Sequence, residues 1–87
     1  MKFNGALITE QGVTFAIVVV KPSAVFNNNT IVETQKAFQK FFPLGTPIIL
    51  MVQNSQGIPT YYGRRDIVNF LAKVHPSRIP WKTYTVN

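Results

Sequence analysis

VTFAIVVV, residues Val13 to Val20, is the stretch on which the fold turns. Its side chains are β-branched or otherwise apolar, with Thr14 the one polar member. A run this short and this uniformly apolar reads as a strand covered on both faces or lying centrally in a sheet. Pro22 follows and stops the ladder, because it has no N–H to donate. PIILMVQ, Pro47 to Gln53, is a second run of the same character.

Between them, TIVETQKAFQKFF reads as a helix beginning near Thr30. Thr30 and Glu33 have the spacing of a capping box. Ile31, Thr34, Phe38 and Phe41 share one stripe, widened by Phe42, while Glu33, Lys36 and Lys40 point elsewhere. Pro43 and Gly45 terminate the helix. Two apolar strands joined by a helix are expected to be parallel neighbours linked by a right-handed crossover.

Hairpins extend this unit at both ends. FNGALITE, residues 3 to 10, reads as an edge strand entering a tight turn at Gly12. NSQG is a turn, and IPTYY returns from it as an edge strand marked by Pro59. Ile67, Phe70, Leu71 and Val74 then recur at helical spacing up to His75 and Pro76. The tail SRIPWKTYTVN alternates, with Trp81, Thr83 and Thr85 on one side and Lys82, Tyr84 and Val86 on the other. Residues 76–87 therefore form an extended tail or a last edge strand.

The expected fold is a single small α+β domain over residues 1–87. Its element order is ββαββα with a possible extra C-terminal strand, and its sheet is mixed. With two helical stripes and one sheet, packing both helices on the same face makes a two-layer α/β sandwich. The opposite face would then present Val, Ile and Met to solvent, and a homodimer is the ordinary cover for such a face.

The segment from VTFAIVVV through FFPLGTPIILMVQNSQG and TYYG to FLAKV, about residues 13 to 74, resembles the second half of a thioredoxin-like domain, βαββα. The resemblance implies that Thr46-Pro47 matches the family's cis-proline, beside the active site and in touch with bound peptide. The half that carries the family's Cys-x-x-Cys is missing, and the chain has no cysteine. What the resemblance implies is thus a fold fragment, a redox-inactive thioredoxin-like remnant, with no nucleophile for disulfide exchange.

Chemistry is limited by what the chain contains. Glu10, Glu33 and Asp66 are the only acids; Glu33 is accounted for as a capping partner and Asp66 as a first-turn residue favoured by the helix dipole, which leaves no carboxylate pair. His75, the one histidine, sits where it complements a helix C-terminus. No set of zinc ligands, glycine-rich phosphate loop or nucleophile elbow is present. The expectation is a non-enzyme without cofactors. The absence of cysteine and of a long apolar run predicts a cytoplasmic protein with no membrane partner.

What remains is surface. Nine Lys and Arg against three acids give a net charge of +6, which attracts polyanions or serves solubility alone. The corner YYGRRD places Tyr61, Tyr62, Arg64 and Arg65 together. With Gly63 as N-cap, both arginines fall in a first helical turn, where the dipole disfavours cations. A bound anion would reverse that penalty, and Asp66 alone would offset it. One tyrosine is expected to face outward as a stacking surface. Arg78, Trp81 and Lys82 form a second basic and aromatic cluster, with Lys73 between the two; Trp81 serves equally well as an anchor for the tail. FNNN adds an exposed Phe26 and capping asparagines.

Two function classes follow. One is a small basic non-catalytic module for nucleic acid or another polyanion, using Tyr61, Tyr62, Arg64, Arg65, Lys73, Arg78, Trp81 and Lys82. The other is a protein-interaction or assembly module acting as a homo-oligomer through the apolar sheet face or the 58–62 edge strand.

Overall fold

The structure, a computed structural model, describes residues 1–86; Asn87, the last residue of the tail, lies outside the described residues. The order is β1 (Lys2–Glu10), β2 (Val13–Val19), α1 (Asn28–Gln39), β3 (Ile48–Gln53), β4 (Pro59–Tyr62), α2 (Arg65–Leu71) and β5 (Lys82–Thr85). Short 3-10 turns at Pro22–Val25 and Pro76–Arg78 lead into α1 and towards β5. The five strands make one mixed sheet in the order β4-β3-β2-β1-β5. No helix among the described residues is long and apolar enough to cross a membrane.

The run that decides the fold is the middle strand. β2 pairs in parallel with β3, Ala16 opposite Ile48 and Val18 opposite Leu50, and antiparallel with β1 through a tight turn. Gln11 and Gly12 both take positive φ there, 50° and 79°, the pattern of a type I′ hairpin turn. The tail becomes β5 and pairs with β1, so β1 is an inner strand rather than the edge its loose polar pattern suggests. Met1 and Val86 extend that pairing, with the Val86 N–H on the Met1 carbonyl at 2.8 Å.

Side-chain alternation corrects the expected layering. Phe15 and Ile17 of β2, with Ile49 and Met51 of β3, pack against Ile67 and Leu71 of α2 and against Ile79. Ala16, Val18, Ile48 and Leu50 point the other way, into a second cluster with Phe3 and Phe42 that Ile31, Phe38 and Phe41 cover. The helices therefore lie on opposite faces of the sheet, α1 on one and α2 on the other. Both faces of the central strands need a cover because both are apolar, and each helix has a single stripe to offer. The bare sheet face that called for a homodimer does not exist.

Helix boundaries also move. Asn27 is the N-cap of α1: its Oδ1 accepts from the Thr30 N–H at 2.9 Å while its own N–H donates to Thr30 Oγ1 at 3.0 Å. The capping box is thus Asn27 with Thr30, one turn earlier than the Thr30–Glu33 pairing expected. Glu33 is an exposed residue of the helix middle. At the other end α1 stops at Gln39 with Lys40 as C-cap, ahead of Pro43. Every peptide bond among the described residues is trans, Thr46–Pro47 included, so the cis geometry implied there by the thioredoxin-like resemblance is absent. Pro47 leads straight into β3, its carbonyl accepting from the Ala16 N–H at 2.9 Å.

Candidate functional site

The β3–β4 hairpin sets the geometry of the exposed edge. Asn54 Oδ1 accepts from the Gln56 and Ile58 N–H groups at 2.8 and 2.9 Å, and the Asn54 N–H donates to the Ile58 carbonyl at 3.0 Å. This bond fixes the alternation along the ladder. Thr60 and Tyr62, opposite Val52 and Leu50, turn their backbone groups to β3. Pro59 and Tyr61 turn theirs to the open side, where proline's missing N–H leaves one donor fewer on the edge.

Beyond β4 the chain swings through Gly63, at φ 155°. A Cβ at that position would lie 2.5 Å from Ile49 Cδ1 and 3.1 Å from the Ile48 carbonyl oxygen. The tight passage brings the next residues back over the end of the sheet. Arg64, not Gly63, is the N-cap of α2, and Arg65 and Asp66 open the helix. Arg64 Nε and Nη2 each donate to Asp66 at 2.8 Å, a bidentate pair and the one salt bridge among the described residues. That hydrogen bonding holds the Asp66 carboxyl down at about 2 despite some opposing desolvation. The same pair raises the Arg64 pKa.

Between this corner and α1 runs an open groove of about 760 Å³, lined by Tyr61, Tyr62, Arg64 and Arg65, with Asn28 and Gln35 of α1 and Asn69 of α2. A second depression of about 320 Å³ continues along α1, sharing Gln35 and Arg64 and adding Lys36 and Gln39. The three cations Arg64, Arg65 and Lys36 therefore line two adjoining depressions that share Gln35 and Arg64, and among the described residues no carboxylate lines either.

The two tyrosines fall on opposite faces of β4, each half-buried and packed on a core cluster, Tyr61 on the α2 side and Tyr62 on the α1 side. Because both faces are covered, neither ring stands free in solvent. The Tyr61 hydroxyl is buried without a hydrogen-bond partner, and burial pushes its pKa up.

The remaining candidates do not join them. Lys73 lines a neighbouring trough on the α2 side of β4, which shares Tyr61 and Val68 with the groove, and Arg78 sits in the 3-10 turn leading towards β5. His75 caps that same turn, its Nδ1 accepting from the Ser77 N–H at 3.2 Å. Trp81 is an anchor, donating its indole N–H to the Pro76 carbonyl at 3.0 Å while its ring packs on the core. Lys82 lies on β5, its ammonium 5.1 Å from the centroid of the Tyr84 ring. β4 and β5 are opposite edges of the sheet, four strand spacings or roughly 19 Å apart.

Asn28, Gln35, Lys36 and Gln39 belong to the groove without having been expected there. Their signal was present as a second, mainly polar stripe on α1, where Asn28, Gln35, Lys36 and Gln39 recur at helical spacing around Val32 beside the apolar one. Comparison of the chain with protein families, with curated proteins and with solved structures finds no match in any of the three.

Proposed function

We propose that this protein is a small basic non-catalytic binding module that takes nucleic acid or another polyanion along the groove between β4 and α1. The observation that carries this reading is the carboxylate-free lining shared by Arg64, Arg65 and Lys36. Asp66 takes two of the five N–H donors of Arg64 and fixes the guanidinium in place; three donors remain for an incoming anion. Arg65 and Lys36 add charge with no acid paired to either among the described residues. Asn28, Gln35 and Asn69 put amide groups next to these cations, a mixture suited to a phosphate backbone with polar groups attached.

Titration of single-stranded and duplex oligonucleotides at about 50 and 200 mM salt tests it. Three phosphate contacts predict an affinity that falls roughly 20- to 40-fold over that interval. Arg65→Gln and Lys36→Gln each weaken binding, whereas Lys82→Gln on the far edge leaves it unchanged. Absence of salt-dependent binding at the lower concentration removes the reading.

A second reading, an assembly module, keeps support in a narrower form. The covered sheet faces remove the apolar-face dimer, but β4 retains an open edge flanked by Ile58, 55% exposed. Edge-to-edge contact is the remaining route to association.

A further inference from the structure

β4 is only four residues long and pairs on one side alone. Its open side is not blunted by charge: the strand itself is Pro-Thr-Tyr-Tyr. On the α2 face a trough of about 640 Å³ runs alongside, lined by Ile58, Pro59, Tyr61, Val68, Lys73 and Val74. On the α1 face the cationic groove opens at the C-terminal end of the same strand. The free backbone groups of Pro59 and Tyr61 thus lie between an apolar trough and a basic groove.

We infer that the open edge of β4 takes an extended, acidic-ended peptide of another protein as a sixth, antiparallel strand. Main-chain hydrogen bonds to Tyr61 and to the Pro59 carbonyl would supply the register. Alternate side chains would enter the trough against Val68 and Val74, as in strand addition generally. Antiparallel pairing brings the peptide's N-terminal end to Arg64 and Arg65, so that is where its acids belong.

Charge decides between such a peptide and a second copy of this chain. Two copies joined through β4 would gather Arg64, Arg65 and Lys73 from each at one seam, with only the two Asp66 carboxylates to offset them. Both Pro59 residues would also fall in the shared ladder, and neither can donate. A foreign acidic strand meets one proline and complements the cations. The inference does not rest on nucleic-acid binding, since the trough and the backbone of β4 are its basis.

The probe is a synthetic peptide of alternating valine and threonine with two aspartates at its N-terminus, titrated into the 15N-labelled protein and followed by NMR. Shifts centred on Tyr61 and on the Leu71–Val74 segment are expected. Ile58→Asp should weaken binding at least tenfold. N-methylation of the peptide on the alternate amides facing β4 should abolish it, while methylation of the intervening amides leaves it intact; these arms do not depend on the stability of any variant. Equal loss in both methylation registers, or no binding at millimolar peptide, overturns the proposal. So does a concentration-dependent dimer that Ile58→Asp dissolves, because the edge would then belong to a second copy. Oligonucleotide binding weakened in Lys36→Gln with peptide binding retained supports a peptide site that stands on the β4 edge and shares only Arg64 and Arg65 with the groove.

Discussion

Phe3 and Tyr84, near opposite ends of the chain, face each other directly across β1 and β5 with their rings stacked, centroids 4.9 Å apart and planes 7° from parallel. Phe38 meets Phe3 edge-on at 5.0 Å, and Phe42 meets Tyr84 at 5.5 Å. One aromatic cluster therefore ties the first strand, the last strand and the end of α1 together. Phe3→Ala should destabilise by about 3–5 kcal/mol. A double-mutant cycle with Tyr84→Ala, read by chemical denaturation, should return a coupling of about 0.5–1.5 kcal/mol.

The two ends of α1's cap make opposite predictions. Asn27→Ala removes the side-chain acceptor for the Thr30 N–H and should cost about 1 kcal/mol. Glu33→Ala touches no cap and should change stability by no more than about 0.5 kcal/mol. Thermal melts of the two variants check the placement of the helix start directly.

The start of α1 is one thing the sequence leaves open. Asn27 with Thr30 and Thr30 with Glu33 have identical spacing, so spacing alone does not say which begins the helix. The apolar runs of β2 and β3 were enough to make them parallel neighbours. That both faces of β2 are apolar, Phe15 and Ile17 on one and Ala16 and Val18 on the other, was legible too; assigning one helix to each face was not, because a stripe does not say which side of a sheet it covers. The arginine corner was visible as a string, but its pairing partner and the groove wall from α1 depend on how the chain turns at Gly63.

Acid should separate the Arg64–Asp66 pair. The Asp66 carboxyl titrates at about 2 in the folded chain, below its ordinary 3.8. A depressed folded value means that its stabilising effect is complete above the unfolded value and is lost as pH falls from about 4 towards 2. Carboxyl NMR titration of the wild type and of Arg64→Gln should show the Asp66 midpoint moving up once its partner is gone.

Tyr61→Phe removes a buried hydroxyl that has no partner. Deleting an unsatisfied polar atom relieves its desolvation penalty, so the variant should be as stable as wild type or more stable, by up to about 1 kcal/mol. A loss of stability in denaturant melts would show that the hydroxyl is hydrogen-bonded in solution.

Gly63→Ala should be costly. The added methyl meets Ile49 and the Ile48 carbonyl, at a φ that side chains rarely adopt. About 1–3 kcal/mol of destabilisation is expected, with the groove disturbed as well, because Arg64 and Arg65 follow directly.

The hydrogen bonds between Met1 and Val86 bear on how the molecule can be rewired. A short flexible linker would join these neighbouring ends without moving either strand, and new ends could be opened in the exposed Ser55–Gly57 turn. In that circular permutant β5 and β1 become a local hairpin, while the sheet order is unchanged. The β3–β4 pairing in turn becomes the most distant in the chain, so the permutant exchanges one local hairpin for another and should reach the same sheet at a rate close to that of the native connectivity.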